Sequence, residues 1–148
     1  MTLENISQYV TQIDHVGLAV ADLDVAVDYY KRAFGFENIH EEVNEEQGVR
    51  EAMLDVGGSG SCLQLLAPLR EDSPIGKFLS KRGEGLQQLA FRVTDMDAVC
   101  EHLRSEGVEL LYDVPKRGTA NSRVNFVNPK FAHGVLVELV EPDTNAAH

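Results

Sequence analysis

Four polar side chains occupy equivalent places in the two halves of this 148-residue chain. His15 and Gln88 each precede a valine and two aspartates at identical spacings, at an offset of 73 residues from 15 to 88. The segment that begins at Gln64 is echoed by the segment that begins at Glu138, at an offset of 74 residues from 64 to 138. A duplicated unit packed about a pseudo-two-fold axis would bring these four side chains together as ligands for one cation.

The chemistry of this set is that of a hard, oxygen-rich metal site. One imidazole, two amides and one carboxylate suit cobalt, manganese or magnesium better than a thiophilic metal, and they would be unusual as a structural zinc site. Taken singly, each residue has an ordinary interpretation as a polar group on an amphipathic strand. Their recurrence at repeat-equivalent positions favours a shared function.

The elements that must position these residues follow from hydrophobic periodicity. Residues 13–20 alternate as a strand with His15 on the face opposite Val16, Leu18 and Val20. Asp22 or Asp24 is expected to cap the next helix, which Gly35 ends. Further strands are predicted at residues 37–42, 49–56 and 62–66, which makes a βαβββ module.

The second half repeats this pattern after a connector of residues 68–85, within which residues 75–81 are predicted to form a short helix. A strand begins at Leu86, a helix covers residues 96–106, and strands follow at residues 109–112, 123–127 and 135–140. The predicted fold is therefore α+β, a single domain spanning residues 1–148. Its two tandem βαβββ modules, residues 13–67 and 86–142, form a curved mixed sheet. One face is covered by helices and the other encloses the metal cavity.

Composition excludes several classes of partner. The formal net charge of −11 opposes nucleic-acid binding, and no run reaches the roughly 18 apolar residues that a membrane helix needs. The first five residues lack the pattern of a signal peptide, so a cytoplasmic protein is expected. An anionic ligand would need basic groups that gather locally, although a solvated polar face is their plainer interpretation. These groups are Arg70, Lys77, Lys81 and Arg82 in the connector, and Lys116, Arg117 and Arg123 in a later loop.

Five segments of the chain resemble the methylmalonyl-CoA epimerase family of the vicinal oxygen chelate, or glyoxalase-like, superfamily. The resemblance spans residues 13–142, and the segment at residues 46–51 is the most particular to the epimerases. The five segments are Ile-Asp-His-Val-Gly at 13–17, Glu-Gln-Gly-Val-Arg-Glu at 46–51, Gln-Leu-Leu-Ala-Pro at 64–68, Ser-Pro-Ile-Gly-Lys-Phe-Leu at 73–79 and Gly-Val-Leu-Val-Glu-Leu at 134–139.

This resemblance implies an isomerase that epimerises methylmalonyl-CoA within propionyl-CoA metabolism. It implies one divalent metal ion, cobalt first, with manganese, magnesium or zinc as alternatives. The ligands would be His15, Gln64, Glu138 and the residue at position 88. The chain departs from the family here, because Gln87 and Gln88 stand where most such epimerases have two histidines. Gln88 is expected to bind a cation more weakly than an imidazole does.

The resemblance also implies two acid/base groups, Glu51 and Glu138. The reaction removes a proton from one face of the carbon between a thioester and a carboxylate and returns a proton to the other face. Negative charge on the intermediate needs stabilisation, which a chelated cation supplies. Without the resemblance, Glu51 would be interpreted as an exposed strand glutamate beside Arg50.

The loop at residues 116–123 is a candidate for binding the acyl carboxylate with backbone amides and hydroxyls, and it is equally well interpreted as a plain polar turn. Its side chains of interest are Lys116, Arg117, Asn121, Ser122 and Arg123.

Three alternative functions are open at this point. A glyoxalase-like lyase or isomerase needs similar proton transfer, whereas a ring-cleaving dioxygenase would want two imidazoles and a carboxylate around iron. A metal-free protein that sequesters a small ligand could use the same cavity. The resemblance favours an acyl-CoA epimerase that forms a homodimer and binds neither nucleic acid nor membrane.

Overall fold

The structure is a computed structural model that describes residues 4–144. Expectations that fall on residues 1–3 and 145–148, including most of the segment behind the cytoplasmic prediction, lie outside the described residues. The helices and strands, in chain order, are β1 (Val10–Ala19), α1 (Leu23–Phe34), β2 (Glu37–Asn44), β3 (Val49–Asp55), β4 (Cys62–Pro68), α2 (Pro74–Arg82), β5 (Gly85–Val93), α3 (Met96–Ser105), β6 (Lys116–Arg117), β7 (Arg123–Val127) and β8 (Val137–Glu141).

The chain divides into two compact units, which we call the first unit (residues 15–87) and the second unit (residues 4–14 with 88–144). In the first unit β1 pairs in parallel with β4, and β4, β3 and β2 continue antiparallel. In the second unit β5 pairs in parallel with β8, and β8, β7 and β6 continue antiparallel. The predicted α+β class and the two βαβββ modules are confirmed. No helix in the described part of the chain is long and apolar enough to cross a membrane.

Helix α1 covers one face of the sheet in the first unit. The N-cap Asp22 accepts a hydrogen bond from the Val25 amide (3.1 Å), and Gly35 ends the helix in the left-handed region at φ 74°. The apolar stripe of α1 packs on alternate residues of the strands, as the period-two pattern predicted. This cluster contains Leu18, Val20, Leu23, Ala26, Val27, Tyr30, Phe36, Ala52, Leu54, Leu63, Leu65 and Ala67.

The opposite face of the first unit holds the polar residues and is partly covered by α2. Strand register places Gly17 beside Gln64 and Ala19 beside Leu66. Helix α2 packs on this face through Ile75, against the cluster of Ala19, Val49 and Leu66. The helix predicted at residues 75–81 is therefore present as Pro74–Arg82, and it lies on the face that bears Gln64.

One predicted element is wrong. The segment at residues 109–112 was expected to be a strand, but it forms only an isolated bridge between Leu110 and Val127. At the end of this segment the buried side chain of Asn125 takes the backbone groups of Tyr112, since it accepts from the Tyr112 amide (3.1 Å) and donates to the Tyr112 carbonyl (3.0 Å). A side chain thus replaces the strand partner that would have continued the ladder, and the short strand Lys116–Arg117 takes the edge position instead.

Candidate functional site

Three polar side chains of the first unit are buried on its polar face. His15 and Gln64 are each 2% exposed, and Glu51 is 5% exposed. The Gln64 amide nitrogen donates a hydrogen bond of 3.1 Å to Glu51 Oε2, from β4 to β3. Burial of a carboxylate is costly unless hydrogen bonds compensate it. The interpretation of Glu51 as an exposed strand glutamate is therefore wrong, because the side chain is buried and accepts a hydrogen bond from the neighbouring strand.

A second carboxylate lies next to Glu51 and was missed from the sequence. Glu42 on β2 is the cross-strand partner of Glu51, and cross-strand partners share a face of a sheet. Its side chain is 19% exposed, and an oxygen lies 3.3 Å from His40 Nε2. The pairing of Glu42 with Glu51 could have been found from the register of the β2–β3 hairpin. A bulge between Asn38 and His40 shifts that register by its extra residue.

The second unit contains a related pair. The Gln88 amide nitrogen donates a hydrogen bond of 2.8 Å to Glu138 Oε1, from β5 to β8. Glu138 is 6% exposed, and Gln88 is half-buried. Each unit therefore holds one carboxylate whose orientation is fixed by a glutamine amide.

The strand registers bear out the internal repeat at the level of individual residue pairs. Gln64 pairs with Gly17 in the first unit, and Glu138 pairs with Ala90 in the second. These pairs are related by the same offsets of 73 and 74 residues that the sequence displays. His15 and Gln88 each lie two residues before the paired position, so each member of the quartet has the same place in its own unit.

A matched pair of arginines anchors the helices in both units. Arg50 on β3 binds Asp24 at 2.9 Å, and Arg123 on β7 binds Asp97 at 2.9 Å. The Arg50 guanidinium holds the pKa of Asp24 below its usual value through a hydrogen bond and charge attraction. The equivalent hydrogen bond, which Arg123 donates to Asp97, raises the pKa of Arg123. Arg123 is thus engaged in the anchor of α3, although the sequence proposed it for substrate binding.

The remaining residues of the 116–123 loop form a local network. Arg117 Nε donates to Asn121 Oδ1 at 3.0 Å, and Asn121 Nδ2 donates to Asp143 at 3.1 Å. Lys116 Nζ lies 4.3 Å from the centroid of the Tyr112 ring, and Ser122 is 5% exposed. Asn121 has a positive φ of 61°, as does Ala120 with φ 55°. The loop has a specific, sparsely populated backbone conformation, and its substrate role stays a prediction.

The donor chemistry of the quartet fits a hard cation. Both glutamines bind carboxylates through their nitrogens, so their oxygens are the atoms that would coordinate a metal. No three His, Cys, Asp or Glu side chains within residues 4–144 lie close enough together to hold a metal ion. Of the four predicted ligands, only His15 and Glu138 belong to these residue types. The other two, Gln64 and Gln88, would coordinate a metal ion through their amide oxygens. Each unit supplies two of the four residues.

Comparison with known proteins agrees with the fold. Residues 14–126 match the glyoxalase/bleomycin resistance protein/dioxygenase superfamily, and the chain belongs to that superfamily. A crystal structure of methylmalonyl-CoA epimerase from Mycobacterium tuberculosis is 57% identical, with a TM-score of 0.89, and covers 97% of this chain and 93% of its own. A Streptomyces coelicolor methylmalonyl-CoA epimerase variant in complex with 2-nitronate-propionyl-CoA is 52% identical, with a TM-score of 0.86 and coverage of 91% and 99%.

A relative from Cereibacter sphaeroides, ethylmalonyl-CoA/methylmalonyl-CoA epimerase, is 32% identical over 130 residues, which cover 86% of this chain and 96% of the relative. Within the superfamily, the chain belongs to the methylmalonyl-CoA epimerase family. The family resemblance noted from the five sequence segments is confirmed. Members of this family typically use a divalent metal ion.

Proposed function

We propose that this protein interconverts the two epimers of methylmalonyl-CoA by a 1,1-proton transfer. The activity is that of an isomerase acting on an acyl-CoA. The observation that supports it best, beside family membership, is the burial of Glu51 and its hydrogen bond from Gln64. A carboxylate that is removed from water and oriented by an amide is prepared to exchange a proton with a bound substrate.

Glu51 is the first acid/base group in this proposal. Gln64 donates to Glu51 Oε2, so the amide helps to orient the carboxylate. Gln64 is therefore a positioning residue for Glu51 in addition to its proposed metal contact. Removing the proton from the α-carbon leaves a negative charge that spreads onto the thioester oxygen.

Glu138 is the second acid/base group, and in its protonated form it donates its own proton to the opposite face of the α-carbon while Glu51 keeps the proton that it removed. Its hydrogen bond from Gln88 orients it in the same way as Gln64 orients Glu51. Glu138 is also a proposed metal ligand, and coordination lowers the basicity of a carboxylate. We therefore expect Glu51 to be the stronger base of the two.

His15, Gln64, Gln88 and Glu138 would hold one divalent cation, with cobalt as the first choice and manganese, magnesium or zinc as alternatives. When bound, the cation supplies Lewis-acid stabilisation of the charge that develops on the substrate. This assignment is supported by the repeat-equivalent registers and by the oxygen donors, and it requires the two modules to work as one domain around a shared cavity. The 116–123 loop is proposed to bind the acyl carboxylate through Lys116, Arg117, Asn121, Ser122 and Arg123.

The test is the exchange of the substrate α-proton with deuterium in D₂O. Glu51→Gln should fold normally and lose exchange by about 100-fold or more, the size of a general acid/base contribution. Glu41→Gln is the matched control. Glu41 lies on the neighbouring strand β2 and forms an ion pair with Arg50 (3.0 Å), and it is not one of the proposed acid/base groups. A fully active Glu51→Gln variant would remove Glu51 from the mechanism.

The alternative functions are separated by two further measurements. Turnover of a hemithioacetal in preference to methylmalonyl-CoA would favour a glyoxalase-like enzyme. Elemental analysis of protein purified without chelator should find one divalent metal per chain, whereas a metal-free sequestration protein would contain none. Three further expectations stay predictions: the homodimer, the cytoplasmic location and the place in propionyl-CoA metabolism. Sedimentation would test the homodimer, and cell fractionation would test the location.

A further inference from the structure

A line of three side chains leads from the buried carboxylate of Glu51 to the edge of the sheet in the first unit. Glu51 lies on β3, its cross-strand partner Glu42 lies on β2, and His40 precedes Glu42 by two residues. Residues two apart on a strand share a face, so all three side chains lie on the polar face of this unit. Strand β2 is an edge strand of the sheet, where solvent has access to its side chains.

Exposure to solvent increases along this line. Glu51 is buried, whereas the side chain of Glu42 is 19% exposed and that of His40 is 38% exposed. A carboxylate and an imidazole can each accept a proton and release it again. The line therefore connects a group that water does not reach with a group that water reaches, through side chains that can carry a proton.

The gaps between the three groups are short. Directly opposite residues of antiparallel strands have β-carbons about 4.5–5.5 Å apart, which brings the carboxyl groups of Glu42 and Glu51 within reach of each other. Glu42 Oε2 lies 3.3 Å from His40 Nε2, and that nitrogen is buried without a hydrogen bond to the residues that the structure describes. Proton-transfer contacts are often poorly aligned in a free enzyme and tighten when substrate binds. His40 Nε2 is thus available to exchange a proton with Glu42.

The proposed reaction makes such a connection necessary. After one turnover Glu51 holds the proton that it removed, and Glu138 has lost the proton that it donated. Before the protein can act again in the same direction, one proton must leave Glu51 and another must reach Glu138. Because Glu51 is buried, its proton needs a route to solvent through other groups.

We propose that Glu42 and His40 carry this proton from Glu51 to solvent and so reset the base between turnovers. Protonated Glu51 gives its proton to the Glu42 carboxylate, Glu42 passes it to the neutral imidazole at Nε2, and the imidazolium releases a proton to water. Each transfer breaks one bond to hydrogen and forms another, so no further reactant is consumed. Both residues act through Glu51 rather than on the substrate. The inference rests on the proposed function, since the proton on Glu51 comes from the substrate.

The first test separates the reset from the chemistry by steady-state kinetics of methylmalonyl-CoA epimerisation in one direction. In Glu42→Gln, kcat should fall about tenfold or more because the reset becomes rate-limiting, while kcat/KM, which reports the steps up to the chemistry, stays within about twofold of the wild type. Added imidazole buffer should restore kcat, since it accepts the proton in place of the missing route. His40→Gln should behave in the same way. Glu41→Gln, on the opposite face of β2, is the matched control and should keep its kcat with or without imidazole.

The outcomes of this test are distinct for the two proposals. A wild-type kcat in both Glu42→Gln and His40→Gln would overturn the proton route and leave the proposed function intact. An equal fall in kcat and kcat/KM that imidazole does not restore would indicate a purely structural role and would also overturn the route. If the wild-type protein does not epimerise methylmalonyl-CoA, the proposed function fails, and the route fails with it because Glu51 then receives no proton.

The second test follows the proton itself by mass spectrometry in D₂O. Early in the reaction, unreacted methylmalonyl-CoA gains deuterium only when Glu51 exchanges its proton with solvent and returns a deuteron to the α-carbon. Product gains deuterium from Glu138 whether or not Glu51 exchanges. The ratio of deuterium in substrate to deuterium in product should therefore fall about tenfold in Glu42→Gln and stay at the wild-type value in Glu41→Gln. An unchanged ratio in Glu42→Gln would contradict the proposed route.

Discussion

The two modules use the same register to present different side chains. Glu51 pairs with Leu66 in the first unit, and Val124 pairs with Val140 in the second, at positions that the repeat makes equivalent. Around Val124 the second unit has an apolar cluster with Ala90 and Tyr112, where the first unit has buried Glu51. The acid of the second unit, Glu138, instead occupies the place of Gln64.

This difference shows how duplication divided the work between the modules. The strand register, the N-caps at Asp22 and Asp95 and the arginine anchors are kept in both copies, since each module needs them to fold. The chemistry is not duplicated. Each copy keeps one glutamine that donates to one carboxylate, but the carboxylate comes from β3 in the first unit and from β8 in the second.

The largest effect on turnover should come from two single substitutions, one at each of the two proposed acid/base carboxylates. Glu51→Gln removes a base that is outside the proposed ligand set, so turnover should fall about 100-fold or more while metal affinity stays unchanged. Glu138→Gln should lower turnover similarly and also weaken metal binding, because the same oxygens are proposed ligands. Proton exchange and metal titration on both variants check this contrast. Equal metal affinities in the two variants would contradict the assignment of Glu138 as a ligand.

The next largest effect concerns stability and the loop that replaces a strand in the second unit. Asn125→Ala introduces the residue type of the equivalent Ala52, but it removes the acceptor of the Tyr112 amide, while the Tyr112 carbonyl keeps its hydrogen bond from Arg104 (2.8 Å). The free energy of unfolding should fall by about 2 kcal/mol, the cost of unsatisfied buried polar groups. Urea denaturation measures it. A variant as stable as the wild type would show that water or a neighbouring strand replaces the amide.

A moderate effect is expected from restoring an imidazole in the second unit. Gln88→His should tighten metal binding roughly tenfold, because imidazole is the stronger donor to cobalt or zinc. Gln87→His places the same group on the adjacent residue, whose side chain points to the other face of the strand. Metal titration of both variants decides the matter. If the two substitutions have the same effect, position 88 is not a direct ligand.

The smallest effect should come from the anchors. Arg50→Gln and Arg123→Gln should each lower the thermal midpoint slightly, since exposed ion pairs stabilise little. The folded-state pKa of Asp24 lies below its ordinary value of 3.8, so its contribution is present above that pH and is lost as the pH falls through the folded pKa. The difference in midpoint between wild type and Arg50→Gln should therefore begin to shrink as the pH falls below that ordinary value. A difference that persists at pH 2 would contradict an electrostatic origin.

The sequence predicted the parts of the fold that follow local rules. The helix from Leu23 to Gly35 was predicted by a capping aspartate, an apolar stripe and a terminal glycine, and the short α2 helix was also expected. The strand at residues 109–112 failed, because its apolar run is compatible with pairing but Asn125 takes the hydrogen bonds of Tyr112. Side-chain competition for the backbone is not visible in a periodic pattern.

By itself, the sequence determined the duplication, the alternation that puts His15 and Gln64 on one face, and the family to which the chain belongs. These features depend on the spacing of residue types along the chain, which the sequence gives directly. Only the tertiary structure decided that Glu51 is buried and oriented by Gln64, that Glu42 lies beside it, and that Arg123 binds Asp97. Burial and pairing depend on which strands become neighbours, and residues far apart in the chain settle that only when they pack.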